Sequence, residues 1–500
     1  GIEAHMRLSR ARIQNYRSVR DTGWFDLETG KTILVGPDEA GKSAILAALQ
    51  KINPPEGVEP FDPLKDFPRS EYNRIQREEI TPSEIVVAEC EFYLEEDDLE
   101  VLPDGWDGCI YYCQKRLDNS FRDELRKAPD APTLQEVKRD LNRVAKAAEH
   151  LQKEKNPDLP DGKKLTTRAS KILQTRGQDK PISASTAKAI SELIEDASSY
   201  IDPEDEVAEK ALDRIESRLL VLTQKQEVTG RFRERIPLFI LFNNYFRVRP
   251  NIHLKHLAER TEKGLLDDSR YDYGNNCLLK LLGFSARELA DLGEVAEPGQ
   301  EDHAALSSYQ SRLTERRTRL NSASVQLTKE IREVWAPDTK KDEASTLRIA
   351  ADRQYLTVVV EDSMGVEVEL DERSEGFQWL VSFFVVFFAE SEESHRNSIL
   401  LLDEPGVSLH ALKQKEFRKT VSRLADKNQT VFTTHSPFMV GSDELDMVRV
   451  VELKDRETGS KVHTSITARD PAALLPLQEA LGYDLAQSLF SQKRNLILEG

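Results

Sequence analysis

Cysteine is scarce in this chain, and the scarcity closes off several classes. The four cysteines, Cys90, Cys109, Cys113 and Cys277, include no C-x-x-C pair. So sparse a set offers no disulfide framework. Cys109 and Cys113 could be half of a metal site, but no second half follows. Reduced thiols in a cytosolic protein are the plainer reading. Long apolar runs are missing too. The most apolar stretch, Trp379 to Ala389, falls short of the ~20 residues that a bilayer span needs. It reads as a buried helix, and no membrane association is expected. No signal peptide is evident. Residues 1 to 5, Gly-Ile-Glu-Ala-His before Met6, read as a tag remnant and are set aside. There is no internal repeat and no low-complexity tract. Nor is there an excess of positive charge. Asp and Glu number 88 against 70 Lys and Arg, a net charge of -18. That argues against wholesale coating of nucleic acid. A local basic groove stays open, because the field at a ligand depends on where charges sit.

What is present points to a multidomain α/β protein. Five hundred residues exceed one ordinary core, so two to four domains are expected. Leu8 to Tyr16 alternates polar and apolar residues, as a strand does, and Thr32-Ile33-Leu34-Val35 is a short apolar run ended by Gly36. Ser43 to Leu49 is rich in Ala and Leu and reads as a helix. Residues 84 to 94 and 109 to 114 favour strands. Near residue 120 the chain turns polar and charged, with helical spacing in Ala145 to Gln152 and Val207 to Leu222. Ile236 to Phe242 returns to buried-strand composition. A second helical stretch covers about 285 to 335, with Leu313, Leu320, Val325, Leu327, Ile331 and Val334 at three- and four-residue steps. Tyr355 to Val360 then reads as sheet, and Asp362-Ser363-Met364-Gly365 as a turn into Val366 to Leu370, a hairpin. The expected organisation is a core part at 6–120, a helical insertion at 121–232 that would hold a dimer together, and a core strand at 233–250. A helical arm at 251–340 and a core part at 341–480 follow, with residues 481–500 apart from both.

Four motifs carry chemistry. The first is Gly36-Pro37-Asp38-Glu39-Ala40-Gly41-Lys42-Ser43, the pattern G-x-x-x-x-G-K-S. Its glycines let backbone N–H groups curl around a phosphate chain, and the following helix turns its positive end to the anion. Lys42 would supply charge to the β- and γ-phosphates, and the Ser43 hydroxyl would ligate Mg²⁺. The second is Ile399-Leu400-Leu401-Leu402-Asp403-Glu404, a buried strand ending in two carboxylates. Asp403 would hold the Mg²⁺ shell and Glu404 would orient or deprotonate water. This strand and the one before Gly36 can lie side by side in one sheet. The third is Thr433-Thr434-His435-Ser436-Pro437, which puts His435 at the same sheet edge, where open α/β folds bind ligands. There it could hydrogen-bond a γ-phosphate; a lone histidine is otherwise usually structural. The fourth is Arg373-Ser374-Glu375-Gly376-Phe377-Gln378, opening the apolar helix. It is either an anion site or a plain N-cap.

Together these motifs resemble the ABC ATPase superfamily over most of residues 6 to 480. The resemblance implies ATP and Mg²⁺ as ligands, and a homodimer in which Ser374 and Gly376 complete the site of a second copy. It makes Pro405 to His410 a dimer-facing loop and His435 the switch histidine. Glu375 and Phe377 depart from the transporter-type Leu-Ser-Gly-Gly-Gln. The split core with helical arms looks more like the RecF and SMC-like branch. Asn15-Tyr16-Arg17-Ser18 looks like that branch's N-terminal strand motif, whose arginine, here Arg17, reaches the nucleotide phosphates. The glutamine loop of the superfamily has no clear counterpart; Phe67-Pro68-Arg69 or Gln76 falls in that region. The chain is also similar to the OLD (overcoming lysogenization defect) family, which joins such an ATPase to a C-terminal Toprim nuclease. Leu481 to Phe490 and then Leu496-Ile497-Leu498-Glu499-Gly500 look like the passage into that nuclease. Glu499 would be its first carboxylate, without the later Asp-x-Asp. The implied function is an ATPase that gates DNA cleavage in phage defence, with DNA reached through the full-length protein. A RecF- or SMC-like repair ATPase, an ATPase working with a separate nuclease subunit, and a nucleotide sensor without turnover are the other readings. Arg231 to Arg235 and Arg316 to Arg319 are basic, but a solvated helix face accounts for them equally well.

Overall fold

The computed structural model describes residues 6–464 and 477–478, except 101, 105, 175–178, 264–271, 295–296, 300, 336–345, 363, 392–397, 442 and 456. Residues 1–5 and 481–500, with Glu499, therefore lie outside the described residues. The chain forms two compact units. One comprises Gly1–Phe92, Cys113–Arg122 and Pro237–Gly500, the other Tyr93–Tyr112 and Asp123–Ile236.

In chain order the principal elements begin with β1 (Arg7–Tyr16), β2 (Val19–Asp21), β3 (Phe25–Asp26), β4 (Lys31–Val35) and α1 (Lys42–Gln50). Then come β5 (Val86–Tyr93), β6 (Ile110–Arg116) and β7 (Phe121–Arg126). Four helices follow, α2 (Leu134–Lys155), α3 (Leu165–Leu173), α4 (Ala184–Ser198) and α5 (Glu206–Glu234). The chain continues through β8 (Leu238–Asn243), β9 (Asn251–His253), α6 (His303–Trp335), β10 (Thr346–Asp352), β11 (Tyr355–Glu361) and β12 (Glu367–Glu369). It closes with α7 (Glu375–Ser391), β13 (Ser398–Asp403), α8 (Ala411–Lys427), β14 (Thr430–Thr434), β15 (Val448–Leu453) and β16 (Ser460–Thr464).

The sheet that matters for function runs β16-β15-β4-β14-β13-β8. Five of its strands are parallel and only β16 is antiparallel, on the edge. Parallel strands are covered on both faces, so they read as continuous apolar runs. Accordingly every residue of β4 and of β14 is buried, and so are the first five of β13. The register pairs Val35 with Thr434, and Leu402 with Phe432. The strand before Gly36 and the strand before Asp403 are thus not neighbours, as their composition had allowed. β14 lies between them.

Helix α7 is buried from Gly376 to Phe384 without interruption except at Gln378, as its composition predicts. Its Trp379 ring meets Phe242 of β8 at 5.0 Å, Phe383 at 5.4 Å and Phe417 of α8 at 5.1 Å. Such aromatic pairs add about 0.5–1.5 kcal/mol each beyond their area.

Tyr355 to Val360 lies in a strand, β11, but in a separate antiparallel sheet, β10-β11-β12 with β9 on β11. Its alternating burial shows why: only one face is covered, which suits an antiparallel ribbon. The hairpin is present, with Asp362 N–H donating to the Val366 carbonyl at 3.0 Å. Helix α6 buries Leu320, Leu327, Ile331 and Val334, whereas Leu313 and Val325 are exposed.

The second unit is built on α2 to α5 around Val137, Leu141, Val144, Ile190, Leu193 and Ile215. Helix α2 starts in a reciprocal cap. Glu136 N–H donates to Thr133 Oγ1, and Thr133 N–H donates to the Glu136 carboxylate. The unit also takes in Tyr93–Tyr112, outside the 121–232 insertion expected from composition. A buried ion pair ties that segment in: Asp98, fully buried, meets Arg235 at 2.9 Å. The stretch after residue 120 opens as strand β7, not helix.

Trp379→Ala should destabilise the first unit by about 3–5 kcal/mol, read as an earlier urea midpoint.

Candidate nucleotide site

The site grows from the ends of three parallel strands. β4 stops at Val35, and Gly36 N–H reaches back to the Thr434 carbonyl at 3.4 Å. A Cβ at Gly36 would sit 2.3 Å from the Val451 carbonyl oxygen, so no side chain fits there. Asp38 to Ala40 form a single tight turn. Gly41 follows at φ +88°, a left-handed backbone that glycine adopts at no steric cost. Helix α1 then begins at Lys42, with its free N–H groups at the loop.

Lys42 is 2 % exposed. Its ammonium donates to the carbonyls of Gly36 at 2.7 Å and Pro37 at 2.9 Å. It also lies 3.3 Å from Glu404 Oε1. A buried charge is costly unless it is paired and hydrogen-bonded, and here the loop's own carbonyls do both with the glutamate. Ser43 Oγ donates to Asp403 Oδ1 at 2.9 Å, and Thr433 Oγ1 donates to the same oxygen at 2.8 Å.

Glu404 stands at φ +50°, which costs a non-glycine residue about 1–2 kcal/mol. Two side chains hold that backbone. Glu404 N–H donates to Thr433 Oγ1 at 2.9 Å, and Asn244 Nδ2 donates to the Glu404 carbonyl at 3.3 Å. His435 Nδ1 is 2.9 Å from Glu404 Oε2 and 3.0 Å from Asp38 Oδ1. Asp38, Glu404 and His435 bring three potential ligand atoms within 4.8 Å of one another, but the Lys42 ammonium beside Glu404 opposes a cation among them. Ser43, Asp403 and Thr433 instead offer clustered hard oxygens, the donor type that Mg²⁺ takes.

The phosphate loop, Asp403, Glu404 and His435 are thus together at one sheet edge. Thr433 and Asn244 belong with them. Thr433 stood in the quoted Thr-Thr-His motif without a role, and Asn244 follows a strand that ends at the same edge.

Arg17 sits differently. It too is left-handed, at φ +52°, and its guanidinium donates to Asp66 Oδ1 at 3.1 Å. Asp66 also accepts from Lys51 at 2.9 Å. Burial pushes the Asp66 carboxyl up, but the hydrogen bonds from Lys51 and the Asp62 backbone, with the charges of Lys51 and Arg17, hold it below the usual range. Arg17 shares a cavity of about 780 Å³ with Arg20, Glu39, Lys65, Phe67 and Arg69. Gln76 lies in the short helix Tyr72–Gln76.

Ser374 and Gly376 line a different cavity, of about 440 Å³, with Ser408, Leu409, His410 and Lys413. Ser374 Oγ caps α7 by accepting from Phe377 N–H at 3.4 Å. Glu375 accepts from Arg247 at 2.7 Å and from Ser408 Oγ at 3.0 Å. The Arg247 hydrogen bond holds its carboxyl below the usual range.

Among known proteins, a family model described as "AAA ATPase domain" matches residues 6–440. An uncharacterized protein, MJECL43, of Methanocaldococcus jannaschii is 31% identical over 123 residues, which is 24% of this chain and 32% of the relative. The chain thus spans about a third of that relative's length. Among solved structures, the SMC head domain from Thermotoga maritima is 9% identical, covering 92% of this chain and 99% of that one, with a TM-score of 0.32. The Smc head domain with an extended coiled coil from Pyrococcus furiosus, bound to the C-terminal domain of ScpA, is 10% identical. It covers 95% of this chain and 100% of that one, with a TM-score of 0.34. With residues 6–440 matched, and a phosphate loop and acidic pair at one edge of a parallel sheet, this chain belongs to the AAA ATPase domain family and is an α/β P-loop ATPase.

Proposed function

We propose that this chain is an ABC-type ATPase region that works as a homodimer and gates an attached OLD-type nuclease. The observation that carries the ATPase part is the meeting of Lys42, Ser43, Asp403, Glu404 and His435 at the ends of β4, β13 and β14. Gly36 to Ser43 would wrap the phosphates of ATP, with Lys42 facing the β- and γ-phosphates. Ser43 and Asp403 would hold Mg²⁺, which when bound neutralises charge on the phosphate oxygens. The convergence of Ser43 and Thr433 on one Asp403 oxygen fits that role.

Glu404 would take the proton of the attacking water. His435, whose Nδ1 lies within 2.9 Å of Glu404, would hydrogen-bond the γ-phosphate. Arg17 would reach the nucleotide from the cavity it shares with Glu39, moving off Asp66 to do so. Ser374 and Gly376 lie in their own cavity beside Ser408 and His410. That arrangement supports a surface offered to the γ-phosphate of a second copy.

The nuclease output, DNA as target and phage defence rest on the likeness of Leu481 to Gly500 to the passage into a Toprim domain, and a cytosolic setting on the sparse, unpaired cysteines. In that reading Glu499 is a metal-binding carboxylate. No helix among the described residues is long and apolar enough to cross a membrane.

Two substitutions test the assignment. Lys42→Ala should weaken Mg²⁺–ATP binding by about a hundredfold or more, measured by fluorescent-nucleotide titration. Glu404→Gln should keep ATP bound yet slow phosphate release by about 10²–10³-fold. With Mg²⁺–ATP it should also double in mass in light scattering. Rapid turnover by Glu404→Gln would overturn the role given to that carboxylate.

A further inference from the structure

The phosphate loop carries two carboxylates of its own, Asp38 and Glu39, in the turn before Gly41. A loop built to bind anions but bearing negative charge works against its ligand. The two carboxylates are placed differently. Glu39 lines the cavity with Arg17, Arg20 and Arg69. Asp38 faces Lys42 and His435 at the strand ends. Its Oδ1 lies 3.0 Å from His435 Nδ1 and 3.9 Å from Lys42 Nζ. Glu404 touches the same two groups, at 2.9 Å from His435 Nδ1 and 3.3 Å from Lys42 Nζ.

A ring nitrogen carries at most one proton. His435 Nδ1 can therefore donate to Asp38, to Glu404 or to a phosphate oxygen, not to all three at full strength. The competitors also differ in freedom. The Glu404 side chain is 20% exposed and its backbone is pinned by Thr433 and Asn244. The Asp38 side chain is 77% exposed, so it can swing into water without leaving a buried charge behind.

We infer that Asp38 is a built-in competitor of the terminal phosphate. Its carboxylate lies against His435 Nδ1, at 3.0 Å, and near Lys42 Nζ, at 3.9 Å, and a γ-phosphate that takes those partners has to displace it. When the γ-phosphate is gone, Asp38 returns to the same partners and favours release of what remains. Asp38 thereby sets how strongly the site prefers a triphosphate over a diphosphate. The inference rests on the reading of this edge as an ATP site.

The test is a calorimetric comparison of wild type, Asp38→Asn and Glu39→Gln. Each is titrated with Mg²⁺–ADP and with the Mg²⁺ complex of the β,γ-imido analogue of ATP, which is not turned over. Asp38→Asn should tighten the triphosphate analogue by about three- to tenfold and ADP by less than about twofold. Glu39→Gln should shift both ligands alike. In a His435→Ala background most of the Asp38→Asn gain should vanish, as expected of two groups that act as a pair. Equal tightening of both ligands by Asp38→Asn would reduce the effect to net charge and overturn the inference. So would an unchanged or weakened triphosphate. Wild type that retains neither nucleotide would sink the ATP-site reading itself, a different and recognisable failure.

Discussion

An ammonium group has been taken out of water in this protein, and the site is organised around that fact. Lys42 is almost wholly buried, a position that costs several kcal/mol unless the charge is compensated. Compensation comes from the carbonyls of Gly36 and Pro37 and from Glu404. The loop and Glu404 lie far apart in sequence. They meet only because β4, β14 and β13 are parallel and in register, so that Val35, Thr434 and Asp403 end at one edge. The buried, continuous apolar character of those strands is therefore a requirement of the site as well as of the core.

The same edge stores local strain. Glu404 is left-handed without being a glycine, and the hydroxyl of Thr433 serves it twice. That hydroxyl accepts from the Glu404 backbone and donates to Asp403. One small side chain on the strand between thus ties the Asp403 carboxylate to the Glu404 backbone. Positioned groups of this kind lower a barrier because they need no rearrangement during the reaction. The aromatic contacts of Trp379 with Phe242 and Phe417 join α7 to β8 and α8 and support the arrangement from the core.

Much of this was legible in the sequence. The loop from Gly36 to Ser43, the apolar strand before Asp403 and the Thr-Thr-His run all carry local signals, because a buried parallel strand or a glycine turn writes itself into a few consecutive residues. The burial of α7 was legible for the same reason. What could not be read were the long-range choices. Composition does not say that β14 separates β4 from β13, since all three strands look alike. It does not show that β11 lies in a separate sheet until the alternation of its burial is seen. The partnership of Arg17 with Asp66, and that of Asp98 with Arg235, join residues whose charges have many possible partners on paper. Asn244 was missed because an asparagine after a strand is usually a turn residue.

The central claim is that a polyphosphate and its metal are held between Ser43 and Asp403. Manganese, a paramagnetic substitute for magnesium, tests it most directly. With Mn²⁺ and ATP dialysed to equilibrium against the protein, wild type should retain one extra Mn²⁺ per chain with its nucleotide, counted by electron paramagnetic resonance after acid release, and Asp403→Asn should abolish that uptake while remaining folded. Undiminished, nucleotide-dependent Mn²⁺ binding by folded Asp403→Asn would contradict the account.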